Sequence, residues 1–159
     1  MSTDLQWLLV RKWNSFQLKG GKGPIFSKEK GNLLNIHSHK YSGLANSKVV
    51  SIYPTAEGGV AITTIKKDAK PNQVAGARSH TVLRRSTGPR RANKIAAVES
   101  ASKGYRPDLR HAAVARASAI TKASARAAHP AKVYPTKTRG NKAAKPAAAE
   151  KEEDVIELD

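Results

Sequence analysis

Apolar positions along this 159-residue chain change character from one end to the other. In the opening MSTDLQWLLVRKWNSF, Leu5, Leu8, Leu9 and Trp13 recur at helical spacing, and Thr3 with Gln6 has the spacing of a capping box, so a short amphipathic helix is expected. Its apolar face needs a partner, most simply a sheet. Short extended segments are expected over 16–19, 24–27 and 38–42, separated by turns such as Gly20-Gly21-Lys22-Gly23. The β-branched runs VVSIYP and VAITTIKK then flank Thr55-Ala56-Glu57-Gly58-Gly59, which predicts an antiparallel hairpin with a five-residue loop.

Between residues 66 and 77 periodicity gives way to Lys, Pro, Asn and Gly, and residues 79–83 offer one more extended segment. Pro89 suits a first helical position and Gly104 a C-terminal cap, so a helix is expected over about 90–103, with Ile95 and Val98 as its apolar edge. Pro107-Asp108 begins a second helix through HAAVARASAITKASARAA, whose alanines favour helix and whose Leu109, Ala113, Ala117 and Ile120 form one narrow stripe. Arg110, Arg116, Lys122 and Arg126 project around it, an arrangement suited to a helix lodged between RNA segments. Past His129-Pro130 the Lys, Ala, Pro and Thr-rich sequence can build no core.

These elements define an α+β fold: a small antiparallel sheet packed by an N-terminal helix, then two basic helices and a flexible C-terminal tail. The expected organisation is a module over 1–70, a basic connection over 71–89, two helices over 90–128 and an extension over 129–159 with an acidic end. No repeat of solenoid length is present.

Charge turns this outline towards a partner. The chain holds 29 Lys and Arg against 12 Asp and Glu, for a net charge of +17. Residues 1–65 carry 8 basic and 3 acidic side chains, residues 66–149 carry 20 and 3, and residues 150–159 carry 1 and 6. So much like charge repels itself unless a polyanion cancels it. Leu, Ile, Val and Phe number 18 in the first 65 residues but 12 in the remaining 94, so only the N-terminal part is expected to bury a core alone. Without cysteine, disulfides and thiolate metal sites are excluded. The short run Leu5 to Val10 fits neither a signal peptide nor a membrane span, so a soluble intracellular protein is expected, with no membrane partner.

The candidate chemistry is phosphate binding. About ten cation–phosphate contacts would give a log–log salt slope of about −7 to −9. Arg84, Arg85, Arg90, Arg91, Arg106, Arg110 and Arg116 are the preferred contacts, because a planar guanidinium grips phosphate and stacks on unpaired bases. Arg11, Lys12, Lys40, Lys48, Lys66, Lys67, Arg78, Lys94, Lys122 and Arg126 complete the basic set, with Tyr105 as an aromatic contact. Trp7, Trp13, Phe16 and Phe26 are expected to fill the small core, leaving Tyr41, Tyr53, Tyr105 and Tyr134 as further aromatics.

His37 and His39 lack the partners of a structural zinc site, and the glycines of GGKGPIFSKEKGN lack the spacing of a phosphate loop. Asp4, Glu29, Glu57, Asp68, Glu99 and Asp108 are scattered, with local roles in caps, turns or exposed faces. No acid–base pair and no nucleophile context is present, so neither catalysis nor a small-molecule substrate is expected.

LQWLLVRKWNSF, NSKVVSIYP with GGVAITTIKK, and above all YRPDLRHAAVARASAI resemble the eukaryote-only family of large-subunit ribosomal proteins numbered twenty-eight, which is unrelated to the bacterial family of that number. The resemblance covers about residues 4–126. It implies an α+β module with basic helices embedded in large-subunit ribosomal RNA, neighbouring ribosomal proteins as partners, and a cytoplasmic ribosome assembled in the nucleolus. No cofactor is implied beyond structural Mg2+ carried by the RNA. The C-terminal extension departs from the family pattern, and its acidic end is expected to meet a neighbouring protein or shield basic surface. Two other readings stay open: a nucleolar assembly factor that shares the N-terminal module, and a linker-histone-like chromatin protein, whose tails AKPAAAEK resembles.

Overall fold

The computed structural model describes residues 2–66, 69–70, 72–102, 104–129 and 134. Its elements run α1 (Thr3–Val10), β1 (Gln17–Leu18), β2 (Phe26–Ser27), β3 (Val50–Pro54), β4 (Val60–Ile65), β5 (Arg78–Leu83), α2 (Pro89–Ala97) and α3 (Arg110–Ala128). A π-helical turn, Val98–Ser102, continues α2, and a 3-10 turn, Pro107–Leu109, leads into α3. The class is α+β, as expected. Lys67 and, Tyr134 apart, the extension beyond His129 lie outside the described residues.

The hairpin forms where the β-branched runs place it. β3 and β4 pair antiparallel with Ile52 opposite Ile62, and β5 joins the far side of β4 with Thr81 opposite Ile62. Strand order is therefore β3-β4-β5. Alternation along the pleat puts Val50, Ile52, Val60, Ile62 and Leu83 on one face, all buried, and Tyr53, Thr63, Arg78, His80 and Val82 on the other.

Helices α2 and α3 cover the first face. Ala92 and Ala96 of α2, Leu109, and Ala112, Ala113, Ala117 and Ile120 of α3 join the strand residues and Leu33 in a single core. The stripe predicted for the second helix is buried, but against protein. The expectation that only the N-terminal part could bury a core alone is corrected accordingly, and this helix lies with one face on the protein and with Arg110, Lys122 and Arg126 exposed. Small side chains explain the difference: with only a methyl group at the contact, helices and sheet approach closely and pack densely. Pro89 stands at the start of α2 and Gly104, at φ 62°, donates its N–H to Ala101 and closes the turn after it.

The N-terminal helix departs from expectation. Its cap is Ser2, whose Oγ accepts from the Asp4 N–H, rather than a Thr3–Gln6 box. Its apolar face is open: Leu8 is 57% and Trp13 87% exposed, with Leu5 and Leu9 alike. Phe16 and Phe26 remain 43% and 46% exposed, so none of the four aromatics expected in the core is buried, and Trp7 is the best covered of them. Trp7 packs on His37 and His39 at centroid distances of 4.9 and 5.6 Å, and Gln17 Nε2 donates to the Arg11 carbonyl at 2.8 Å. These aromatic and polar contacts hold α1 in place.

Residues 38–42 form turns, not the expected strand. Ser42 and Asn46 spend their side chains on local groups: Ser42 Oγ donates to Glu29 Oε2, and Asn46 Nδ2 donates to the carbonyls of His39 and Ser42. Glu29, expected at an exposed or turn position, is buried, its carboxylate also accepting from Asn32 Nδ2 at 3.1 Å. β1 and β2 pair over two residues each, extended by a bridge from Phe26 to Ile36.

Candidate nucleic-acid interface

The YRPDLR block is the most distinctive stretch of the sequence, and the fold uses two of its candidate contacts internally. Tyr105 reaches the end of the β3–β4 pair, where its hydroxyl accepts from the N–H groups of Val49 (3.0 Å) and Ile65 (3.2 Å) and donates to the Ile65 carbonyl at 3.0 Å. Burial raises its pKa above 10.0, against the lowering effect of those backbone bonds. Arg106 donates to the carbonyls of Lys48 and Lys40 at 3.0 and 2.9 Å, and forks onto Asp108 at 2.9 and 2.8 Å. The Arg106 hydrogen bond holds the Asp108 carboxyl below its ordinary 3.8. One tyrosine and one arginine thus tie the segment before α3 to the start of β3 and the loop preceding it. Sequence reasoning assigned them to RNA because an arginine's charge is visible in a sequence and its internal acceptors, here backbone carbonyls far along the chain, are not.

Other basic residues converge. A cleft of about 330 Å3 opens where the β3–β4 loop, the β5–α2 turn and the end of α3 meet, and Arg84, Arg85, Lys122 and His129 line it with Ser86 and Thr87. Among the described residues, no acidic side chain lines it. The loop can approach because Gly59 has no side chain: a Cβ there would collide with the Leu83 carbonyl oxygen. α2 begins at the cleft with Gly88 as its cap, giving its N–H groups no side-chain acceptor, and its first turn has no acidic residue. The partial positive charge of that helix end adds to the surrounding cations. The arrangement is built to hold an anion with several donors at once.

The remaining candidates are dispersed. Arg90, Arg91 and Lys94 are exposed on α2, and Arg110 and Arg126 on α3. Arg11 and Lys12 follow α1, where with Lys19 they line an open groove beside Trp13 and Ile25. Lys40 and Lys48 are exposed, their ammonium groups 5.5 Å from the Tyr41 ring and 5.9 Å from the Tyr105 ring. Lys66 and Arg78 are exposed at the ends of β4 and β5. Arg116 is half-buried, and its Nε finds no hydrogen-bond partner among the described residues. His37 and His39 serve α1 as described. Among the described residues no group of three or more His, Cys, Asp or Glu is placed to hold a metal, and no helix is long and apolar enough to cross a membrane.

Sequence reasoning missed His129 and the exposed Trp13. His129 lies at the boundary with the extension, where only proximity to Lys122 about two turns earlier hinted at a shared site. Trp13 ranks as core in any hydrophobicity count, and it is exposed because no described element faces it.

A model of the Ribosomal L28e protein family matches residues 5–123. The chain belongs to that family. The matched region contains the sheet, α2 and most of α3, so the L28e unit coincides with the packed core and stops short of His129. Relatives named large ribosomal subunit protein eL28 include one from Dictyostelium discoideum, 35% identical over 73% of this chain and 83% of its own length. Another, from Schizosaccharomyces pombe, is 32% identical over 76% and 90%. A third, from Caenorhabditis elegans, is 38% identical over 45% and 56%.

Proposed function

We propose that the chain is a structural constituent of the eukaryotic large ribosomal subunit, binding ribosomal RNA and supporting translation without catalysing a reaction. The observation that carries this reading is the cleft joining Arg84, Arg85, Lys122 and His129 at the open end of α2, without an acidic side chain among the described residues that line it. Family membership and the names of the eL28 relatives support it independently. The core packs α2 and α3 into a rigid wedge whose cations hold RNA segments at fixed positions, and each neutralised phosphate releases counterions. Arg90, Arg91, Lys94, Arg110, Lys122 and Arg126 extend the contact over the helices, and Arg11, Lys12, Lys40, Lys48, Lys66, Arg78 and Arg116 over the rest of the described surface; Lys67 joins them on its charge alone. Tyr105 and Arg106 act from behind, by fixing the strands. Partners are ribosomal RNA and neighbouring large-subunit proteins, met first in the nucleolus and kept in the cytoplasmic ribosome.

The deciding experiment replaces Arg84 and Arg85 together by alanine. Both are exposed, so thermal melting should be unchanged. The salt slope for binding large-subunit RNA should fall by about two, and the variant should be depleted from salt-washed large subunits. Normal incorporation with an unchanged slope sinks the reading.

A further inference from the structure

Among the described residues, the sheet face turned away from α2 and α3 is open at its rim, around the buried Ala61 and Thr63. Tyr53 is 41% and Val82 61% exposed, and His80 and Arg78 are exposed beside them. A free sheet face is usually polar; here one residue on each of the three strands is arranged about a single hydroxyl. Thr63 on β4 is buried, and its Oγ1 lies 3.3 Å from the Tyr53 hydroxyl on β3 and 3.2 Å from His80 Nδ1 on β5. Both ring side chains are thereby fixed before anything binds, which removes much of the ordering cost of a contact.

A cleft of about 550 Å3 opens beside Tyr53, the volume of a site for a small organic group, and Thr63, Ile65 and Val49 form part of its wall. Lys28, Lys30, Arg78 and Arg116 also line it. Among the described residues the one carboxylate in the lining is Glu29, and it is turned to Asn32 and Ser42, which donate to both of its oxygens. Gly43, also in the lining, lets two stretches of backbone close on each other there, since a Cβ would collide with the Lys30 carbonyl. An aromatic ring held in place, apolar walls and four cations complement one kind of guest: a flat base attached to a phosphate.

We propose that this face receives an unpaired nucleotide of the bound RNA, the base stacking on Tyr53 and the adjoining phosphates meeting Arg78, Lys28 and Lys30. The proposal rests on the RNA-binding reading above and goes beyond it. The Arg84–Arg85 cleft takes backbone alone, and the Tyr53 face distinguishes a bulge or loop from a continuous duplex, because paired bases offer no free π-face.

The test uses the full chain and two labelled RNAs of equal length, one a continuous duplex and the other carrying a three-nucleotide bulge. Tyr53→Ala is expected to weaken binding to the bulged RNA roughly tenfold, the scale of one lost base–aromatic stack, and to leave duplex binding unchanged. Tyr53→Phe keeps the ring and is expected to restore the preference. Arg78→Ala should lower the salt slope on bulged RNA by about 0.7 to 0.9, whereas Tyr53→Ala should leave it unaltered. In purified large subunits, Tyr53→p-benzoylphenylalanine is expected to cross-link to RNA on irradiation. Equal affinity of wild type and Tyr53→Ala for the bulged RNA overturns the proposal, as does a cross-link to a neighbouring protein. Failure of the wild type to bind either RNA overturns the RNA-binding reading beneath it.

Discussion

The two ends of the described chain treat apolar residues in opposite ways. Around α1 the large side chains Leu5, Leu8, Leu9 and Trp13 stand in the open, whereas the small ones of α2 and α3, Ala92, Ala96, Ala113 and Ala117, are almost entirely buried. Hydrophobicity counted residue by residue ranks these regions in the wrong order. A methyl group is enough to make core when two helices and a sheet close over it, and an indole is not when none of the described elements faces it. The alanine-rich segment, which resembles a solvated basic arm in composition, is therefore half of the core. The leucine-rich opening, which resembles core, is a surface.

The largest effect that tests this contrast comes from adding apolar bulk where a composition count would call it harmless. Ala113 is 0% exposed and sits in the shared core. Ala113→Leu is expected to destabilise the isolated chain by about 3 kcal/mol, at the upper end of overpacking costs, because α3 would have to move off α2 or the sheet. Chemical denaturation of the purified protein measures it. A cost under about 0.5 kcal/mol would mean that α3 does not pack in solution as it does here.

Next in size is the tie that Tyr105 makes between the two halves of the core. Tyr105→Phe removes an acceptor from the N–H groups of Val49 and Ile65, which leaves both donors partly buried and unpaired and should cost about 2 kcal/mol. Its pH dependence separates a lost hydrogen bond from a disturbed ring. The folded-state pKa lies above 10.0, so the stability that the protonated hydroxyl contributes is fully present below pH 10 and falls as pH climbs towards the folded value. Wild type should weaken more steeply than Tyr105→Phe above pH 10, and tyrosinate absorbance should show one residue ionising late.

How far the fold was legible follows from the range of each signal. The hairpin, β5, the Pro89 start of α2 and the stripe on α3 were readable because β-branched runs, a proline and a 3.6-residue period are local. The Ser38 to Ser42 segment was not, because Ser42 and Asn46 bond to groups several residues away and win over an extended ladder. The buried Glu29 was hidden for the same reason. At the site, charge singled out Arg84, Arg85 and Lys122, all of them exposed, but their convergence on one cleft depends on the β5–α2 turn meeting the end of α3. Arg106 carried the same charge and is committed to carbonyls 58 and 66 residues away, a distinction no window of sequence contains.

A smaller effect distinguishes Arg106 as tie from Arg106 as cation. Its partner Asp108 has a depressed pKa, so the pair contributes stability above the ordinary aspartate value of 3.8, and that contribution is lost as pH falls through the lower folded value. Asp108→Asn should flatten the wild-type decline in stability below pH 3.8 while leaving RNA affinity at neutral pH within about twofold, since the arginine keeps both carbonyl acceptors. Equal acid sensitivity of the two proteins would show that the fork is open in solution.

The smallest expected effect probes the open end. Leu8→Ala and Trp13→Ala each remove a large apolar side chain, yet Leu8 is more than half exposed and Trp13 nearly wholly so, and alanine is an equally good helix former at position 8. Each should change the stability of the isolated chain by no more than about 0.5 kcal/mol, the range of surface substitutions that touch no buried feature. Deleting a core leucine would cost about 2–5 kcal/mol, so the measurement separates the alternatives cleanly. A loss above about 1.5 kcal/mol for either variant would mean that α1 folds its apolar face onto the protein in solution. The contrast between the two ends would then fail, and the first 13 residues would belong to the core after all.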